Sequence, residues 1–379
     1  MQQQEYVGFG SVNNLSDILL KYNPRNIFLI TGKNSYEKSG AKKIIGSILS
    51  GYRIIHFYDF EVNPKLHDIE KGISIFNKND CNFVIAVGGG SVIDVAKSIN
   101  VLASNEGKPL DYIKTRRTIE NKGMTLVSIP TTSGSGSEAT KFAVVYIDKT
   151  KYSLEHDFLL PDYAIVDSQF TMNLPKSITA STGMDALCQA IESYWCINSI
   201  DKSKNYARQA IGLVIDHLAN AVNKPSEVSR EAMSKAAHLA GKAINISKTT
   251  AAHSVSYPIT SYFNVPHGHA VALTLAQMLG YNSQVTNEDI LDGRGVDYVK
   301  KIIMEIIDFI GAKNIKEASE KIAVMMKEVG LSTRLSELGV KKDEDIAVIV
   351  KNGFNPDRVK NNPRRLTEEA LRGILDNIR

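Results

Sequence analysis

The sequence predicts an α/β domain of Rossmann type followed by an all-helical domain, and three observations carry that reading. Short β-branched and aromatic runs alternate with helical patterns up to about residue 170. Beyond Leu174 the texture changes to long stretches rich in Ala, Ile and Lys. The length, 379 residues, exceeds one ordinary domain of roughly 100–200 residues. The expected division is therefore 1–174, an α/β dinucleotide-binding domain, and 175–379, an all-helical domain for metal and substrate.

In the first half, strands are expected over 27–31, 53–60, 82–87, 126–129, 142–147 and 163–166. Helical patterns over 37–49, 65–77 and 91–103 separate several of them. Alternation of this kind predicts a mostly parallel sheet covered on both faces. In the second half the 3.6-residue period predicts helices over 178–196, 203–222, 226–257, 299–310, 315–329 and 366–378, with 361–365 starting the last.

Composition excludes several classes. Net charge is only +4, from 45 basic and 41 acidic residues, and no basic block is interleaved with aromatics, so nucleic acid is not an expected partner. The start of the chain, Met1-Gln2-Gln3-Gln4-Glu5, lacks the features of a signal peptide, and no run of about 18 apolar residues suggests a membrane span. A cytoplasmic protein acting on a small molecule is expected. Cys81, Cys188 and Cys196 show no metal-type spacing and read as reduced, buried thiols.

Two glycine-bearing turns stand out. Val84 to Val87 is an apolar strand that runs into Gly88-Gly89-Gly90 and then a helix, with Ser91 as its expected cap. Glycines there let a diphosphate approach the backbone, and the helix N-terminus offers free N–H groups. A tight strand-to-helix turn also takes glycine, so packing alone is the competing reading. The loop Pro130-Thr131-Thr132-Ser133-Gly134-Ser135-Gly136-Ser137-Glu138 follows another strand and reads as a ligand-binding loop or as plain polar surface.

Asp185 and Gln189 are four apart in a helical stretch, so both leave one face. His253 and His267 are fourteen apart, with Pro258 between them and Pro266-His267-Gly268 at the end; a helix could end there and a loop return the second imidazole. Asp185, His253 and His267 therefore read as a divalent-metal site.

Taken together, the run from Gly88 to Asp94, the loop from Thr131 to Glu138, Thr182-Gly183-Met184-Asp185-Ala186-Leu187, the histidines ending in Pro266-His267-Gly268 and the late Asn362-Pro363-Arg364 resemble the iron-containing (group III) alcohol dehydrogenase family. The resemblance runs in order along nearly the whole chain. It implies a dehydroquinate-synthase-like fold with an active site in the cleft between its domains, and a homodimer. It also implies NADPH or NADH across Gly88 to Ser91, with Asp94, Thr131, Thr132, Ser135 and Lys151 at matching contact positions. Family members selective for NAD tend to carry an acidic residue after the first strand; here Gly32 and then Lys33 stand there. That favours NADPH, unless Gly32 is only a turn residue and Lys33 a solvated one.

The family binds Fe²⁺ or Zn²⁺ through one Asp and three His. Asp185, His253 and His267 match three of those positions, and Gln189 occupies the fourth. Three strong ligands suffice for a catalytic zinc-type site, and a Gln carbonyl oxygen is a weaker donor than imidazole. His269 matches no metal position and reads as a residue near the cofactor. Where the family commonly has a further His near the nicotinamide, this chain has Tyr257. With a pKa of about 10 against about 6.5 for His, Tyr is the poorer base, which biases the site toward protonating an alkoxide. Tyr257, His269 and Lys248 are the candidate catalytic groups.

The stretch before His253 is polar: Asn245, Lys248, Thr249 and Thr250. On one continuous helix Asn245, Lys248 or Thr249, and His253 would recur on one face, where the polar groups could hold an anion beside a metal-bound carbonyl; the alternative is a solvated Lys248 and hydroxyls bonded to nearby backbone. This segment, Gln189 and the tail from Gly353 to Pro363 resemble the phosphonoacetaldehyde reductase branch of the family. The resemblance implies reduction of phosphonoacetaldehyde to 2-hydroxyethylphosphonate, with Arg358 and Lys360 as further candidate partners of the phosphonate. The competing readings are a general alcohol or aldehyde dehydrogenase, a lyase of the dehydroquinate synthase type and a catalytically silent scaffold.

Overall fold

The computed structural model describes residues 3–115, 117–148 and 150–379. The chain divides into two compact units, Met1–Leu174 and Pro175–Arg379. In the first, strands β1 (Gln4–Val7), β2 (Asn26–Thr31), β3 (Arg53–Phe57), β4 (Phe83–Gly88), β5 (Leu126–Pro130) and β8 (Tyr163–Val166) form a parallel sheet in the order β1-β8-β5-β4-β2-β3. β6 (Phe142–Ile147) and β7 (Thr150–Glu155) make a separate antiparallel hairpin. Helices α1 (Asn14–Tyr22), α2 (Ser35–Lys38), α3 (Ala41–Ile48), α4 (Leu66–Lys78), α5 (Gly90–Leu102) and α6 (Pro109–Lys114) connect them.

The period of two along the strands assigns their side chains. Ile27, Leu29, Ile85, Val87, Val127 and Ile129 pack with Leu15, Ile18 and Ile45 on one face. Phe28, Ile30, Val84 and Ala86 pack with Ile93 and Ile99 on the other. Strands buried on both faces read as near-continuous apolar runs, which is why 82–87 and 126–129 are legible in the sequence. From β2 the chain runs to β3 on one side and returns to β4 on the other, so the carboxyl ends of β2 and β4 flank a topological switch point, where open α/β sheets bind ligands. Gly32 follows the first of these strands and Gly88 ends the second.

The second unit is built from α7 (Lys176–Trp195), α8 (Asp201–Asn223), α9 (Glu227–Ser247), α10 (Ala251–Phe263), α11 (His267–Ser283), α12 (Val296–Phe309), α13 (Ile315–Glu328), α14 (Asp343–Asn352), α15 (Pro356–Val359) and α16 (Glu368–Asn377). α7 is the central helix: every residue from Gly183 to Trp195 is buried. Gly183 lets α8 pack close: a Cβ there would meet the Leu218 methyl at 2.3 Å, and that side chain would have to shift. Among the described residues no helix is long and apolar enough to cross a membrane.

Several expected elements differ. The short edge strand β1 and the strand β7 carry too little apolar pattern to be read in advance. The helix expected over 37–49 is divided into α2 and α3 at Gly40, which is left-handed (φ +81°). β3 stops at Phe57 rather than continuing to residue 60. α5 has Gly89 as its N-cap, and Ser91 lies inside the first turn, where its Oγ accepts from the Asn63 N–H at 3.4 Å. Pro258 sits within α10, which ends at the left-handed Asn264. The last helix starts at Glu368 because the Thr367 hydroxyl caps it; Asn362 lies buried in the preceding loop, donating to the Asn282 side chain at 2.8 Å.

The largest departure is the helix expected over 226–257. It breaks after Ser247: Lys248 has φ 72° and ψ 176°, Thr250 is the N-cap of α10, and no Gly or Pro marks the break. Its cause is tertiary and lies in the candidate metal site.

Candidate active site

Asp185, in the middle of α7, His253, in the first turn of α10, and His267, the first residue of α11, bring ligand atoms within 4.8 Å of one another. The Asp185 Oδ1 to His253 Nε2 separation is 3.5 Å, and the two imidazoles meet edge to face at 5.5 Å between centroids. Ligands about 2 Å from one tetrahedral ion stand roughly 3–4 Å apart, so a small inward movement would close the set. Gly268 makes the approach of α11 possible, because a Cβ there would stand 2.0 Å from the Ser181 carbonyl oxygen and 2.7 Å from the Asp185 Cβ.

The state of each donor follows from its other contacts. The His253 Nδ1–H donates to Glu192 Oε2, so in the neutral ring the lone pair lies on Nε2, which has no hydrogen-bond partner. Burial opposes a positive charge on His253, yet the Glu192 and Asp185 carboxylates outweigh it and raise its pKa to about 9. His267 Nδ1 lies 3.4 Å from the Ser256 hydroxyl, which itself donates to the His253 carbonyl oxygen at 2.7 Å. Gln189, one turn after Asp185, is 3% exposed, and its Oε1 has no hydrogen-bond partner. Unsatisfied buried acceptors are costly, about 1–3 kcal/mol each, and two of them beside a carboxylate and a second imidazole are what a divalent cation would satisfy. The residues present fit such an ion, with Gln189 Oε1 available as an oxygen ligand.

Glu192 was not legible as a functional residue. It lies seven residues after Asp185 on the same stripe of α7 and is fully buried. Its Oε1 accepts from the Thr250 N–H (3.1 Å), the Thr250 hydroxyl (2.6 Å), the Ala252 N–H (3.0 Å) and the His253 N–H (3.3 Å). A helix N-terminus presents unpaired N–H groups and a positive dipole end, so the buried carboxylate fixes where α10 begins and so breaks the helix. A carboxylate in an otherwise apolar helical run was the available signal.

The polar residues ahead of His253 consequently share no helical face with it. Asn245 is half-buried in the last turn of α9. Thr250 turns inward, donating to Glu192 and accepting from the Trp195 indole N–H at 2.9 Å. Lys248 and Thr249 lie in the break, and the Asn361 side-chain amide donates both to the Thr249 carbonyl (3.1 Å) and to the Asp357 carbonyl (2.9 Å). That amide draws the break against α15, which carries Arg358. Arg358 Nε donates to the Tyr257 hydroxyl at 3.2 Å, and the Tyr257 ring stacks over His267 at 6.2 Å between centroids. Lys360 is exposed and pairs with Asp357 at 3.2 Å. His269 lies outside this group; its Nε2 meets the Ser332 carbonyl at 2.7 Å, and burial lowers its pKa.

In the first unit, the glycine turn and the hydroxyl-rich loop lie side by side at the carboxyl ends of β4 and β5. Gly88 pairs with Pro130 in register, and the Thr131 N–H donates to the Gly88 carbonyl at 3.0 Å. A Cβ on Gly89 would meet Thr132 at 3.3 Å, and one on Gly90 would meet the Ser135 hydroxyl at 2.7 Å. Close packing of the two loops is thus one reason for glycine here, and Thr131 Oγ1, buried and without a hydrogen-bond partner, is an available contact for a ligand. At Gly32 a Cβ would meet the Ser35 hydroxyl at 2.2 Å, and Lys33 beside it is exposed. Lys151 lies in β7, paired in register with Tyr146.

Asp94 is engaged internally. Its Oδ1 accepts from the Ser137 hydroxyl at 2.6 Å and its Oδ2 from the Val144 N–H at 3.1 Å; burial raises its pKa, against Lys97. Lys97, missed in the sequence, is fully buried, and its ammonium donates among the Ser137, Thr140 and Phe142 carbonyls and the Ser137 and Thr140 hydroxyls. Burial pushes its pKa down to about 8, opposed by Asp94 and Glu138. Asp94 and Lys97 together fasten the hydroxyl-rich loop to α5.

The chain is similar to known proteins along nearly its whole length. Residues 3–168 match the model of the iron-containing alcohol dehydrogenases, and residues 179–378 match that of the C-terminal part of the Fe-containing alcohol dehydrogenase family. The chain is 35% identical over 292 residues to long-chain-alcohol dehydrogenase 1 of Geobacillus thermodenitrificans (strain NG80-2), covering 76% of this chain and 74% of that one. It is 30% identical over 385 residues to the NADPH-dependent butanol dehydrogenase of Clostridium saccharobutylicum, covering 98% and 95%. The crystal structure of sulfoacetaldehyde reductase from Bifidobacterium kashiwanohense in complex with NAD+ superposes with a TM-score of 0.88 at 31% identity, covering 99% of this chain and 96% of that one.

Proposed function

We infer, since this chain belongs to the iron-containing alcohol dehydrogenase family, that it reduces a small anionic aldehyde, and we assign phosphonoacetaldehyde, giving 2-hydroxyethylphosphonate, as the substrate. Family membership makes it a nicotinamide-dependent dehydrogenase with a metal cofactor. When bound, the divalent ion supplies Lewis acidity toward a carbonyl oxygen and the reduced nicotinamide supplies a hydride. Net, the aldehyde, NAD(P)H and one proton give the alcohol and NAD(P)+.

The observation that carries the anionic substrate is the link from Arg358 through Tyr257 to His267. It sets a guanidinium one side chain away from a candidate metal ligand, and planar guanidinium groups suit phosphonate and sulfonate oxygens. The Asn361 amide brings the Lys248 turn to the same helix, so a second cation is at hand. Asn245, Lys248, Thr249 and Arg358 would hold and orient the acid group, whereas Thr250 serves Glu192 and the exposed Lys360 contributes charge only. Because Arg358 donates to the Tyr257 oxygen, the hydroxyl proton is directed elsewhere and can be passed to a substrate oxygen; His269, bonded to Ser332, is the weaker candidate. Gly32 and Lys33 favour NADPH. The sulfoacetaldehyde reductase likeness supports a substrate with a short carbon chain and an acid group, whereas the alcohol dehydrogenase relatives support a neutral one.

Steady-state reduction of phosphonoacetaldehyde, sulfoacetaldehyde and butanal by the metal-loaded enzyme, with NADPH and with NADH, tests the reading. Arg358→Ala should lower kcat/KM for the two anionic aldehydes by about 10- to 100-fold more than for butanal, the worth of a charge-assisted hydrogen bond, because the loss of its bond to the Tyr257 hydroxyl is common to all three substrates. Equal efficiency on all three substrates in the unaltered enzyme would refute the anionic pocket and leave the neutral-alcohol reading.

A further inference from the structure

We propose that Glu192 is a positioning residue for the metal centre: it fixes the tautomer of His253, so that Nε2 carries a lone pair, and it fixes the start of the helix that carries His253. The inference rests on the metal site described above and is independent of which aldehyde is reduced.

The two carboxylate oxygens divide the work. Oε2 takes the His253 Nδ1–H. With the proton held on that side, the opposite nitrogen, 3.5 Å from Asp185 Oδ1, is left as a donor atom. Oε1 gathers three backbone N–H groups and the Thr250 hydroxyl at the start of α10. The imidazole and the backbone bearing it are therefore oriented by one rigid group on α7, the helix that also bears Asp185 and Gln189. Carboxylates bonded to metal-ligating histidines raise ligand basicity, and their loss costs about 10- to 100-fold in metal affinity.

Substitution by the isosteric amide separates this role from packing. In Glu192→Gln the amide oxygen can still accept from the start of α10, but the NH₂ group then faces Nδ1 and requires it to be an acceptor. The ring proton moves to Nε2, where the metal should bind. Glu192→Asp keeps the charge and the tautomer on a side chain one methylene shorter.

Cobalt(II) titration of the full chain, followed by competition with a chelator and by the visible spectrum, reads the effect without turnover. E192Q should bind Co²⁺ about 10- to 100-fold more weakly, with its far-UV spectrum and NADH binding retained, and E192D should recover most of the loss. Histidine-detected ¹⁵N NMR on the zinc-loaded, unaltered enzyme gives a second reading that needs no variant. It should show one ring with the proton on Nδ1 and the metal on Nε2. Unaltered Co²⁺ affinity in E192Q, or the reverse tautomer at His253, would overturn the role of Glu192. Failure of the unaltered enzyme to take up Co²⁺ or Zn²⁺ would overturn the metal site and this role with it.

Discussion

Gly268 and Asp185 lie so close that no larger residue fits between their helices: a Cβ on Gly268 would stand 2.7 Å from the Asp185 Cβ and 2.0 Å from the Ser181 carbonyl oxygen. The carbonyl cannot yield without distorting α7, so α11 would have to move, and His267 with it. Gly268→Ala should destabilise the protein by about 1–3 kcal/mol, the usual cost of overpacking, and weaken metal binding at least tenfold. Thermal unfolding of the metal-free enzyme and a Zn²⁺ competition titration check the two effects separately. Loss of stability with unchanged metal affinity would show that His267 does not depend on this contact.

The protonation of His253 makes metal uptake depend on pH. In the metal-free protein burial opposes its charge, but Glu192 and Asp185 hold the pKa up at about 9, above the unfolded value of about 6.5. The charged imidazole therefore stabilises the metal-free fold fully below about pH 6.5, and that contribution fades as pH rises through about 9. The metal requires the neutral ring, so one proton leaves on binding and apparent affinity should rise about tenfold per pH unit up to about pH 9. Zn²⁺ titrations between pH 6 and 9 in buffers of different ionisation enthalpy measure both the slope and the proton released. A flat profile would mean that His253 is not a ligand.

Gln189 offers a contrast between stability and binding. Its buried Oε1 lacks a hydrogen bond, so removing it relieves a desolvation cost of about 1–3 kcal/mol in the metal-free protein. Gln189→Leu, close in volume, should raise the unfolding midpoint of the metal-free enzyme. If the oxygen ligates, the same substitution should lower metal affinity about tenfold, and Gln189→His should raise it. Chemical denaturation with and without Zn²⁺ reads all of these, and an affinity indifferent to both substitutions would remove Gln189 from the ligand set.

The candidate metal triad was legible because its members carry local signs: Asp185 and Gln189 one turn apart, and His267 between the proline that caps its helix and the glycine that lets it approach. The strands were legible where both faces are buried and the whole run is apolar. What escaped depends on partners distant in sequence. Lys97 and Glu192 look like ordinary helix charges until their surroundings are known, although each lies in an otherwise apolar helical run, beside Asp94 and Asp185 respectively. The break at Lys248 has no local sign at all. It exists because Glu192, on another helix, gathers the N–H groups of Thr250, Ala252 and His253.

That break leaves Lys248 in a backbone conformation, φ 72° and ψ 176°, that glycine adopts freely and other residues occupy at a cost of about 1–3 kcal/mol. Lysine there is costly to the fold, and such strain persists where the side chain or the turn has a function. The turn is also tied through Asn361 to the helix bearing Arg358, where the acid group of the substrate would lie. Lys248→Gly should therefore raise stability by about 1 kcal/mol while raising KM for phosphonoacetaldehyde about tenfold and leaving butanal unaffected. Lys248→Ala, which removes the charge but keeps a Cβ, should lose the substrate without the gain in stability. Thermal melts beside steady-state kinetics on both aldehydes distinguish the cases. A glycine variant that is more stable and equally active on the anionic aldehyde would show that the strain serves only the geometry of the turn, with the ammonium group playing no part in binding.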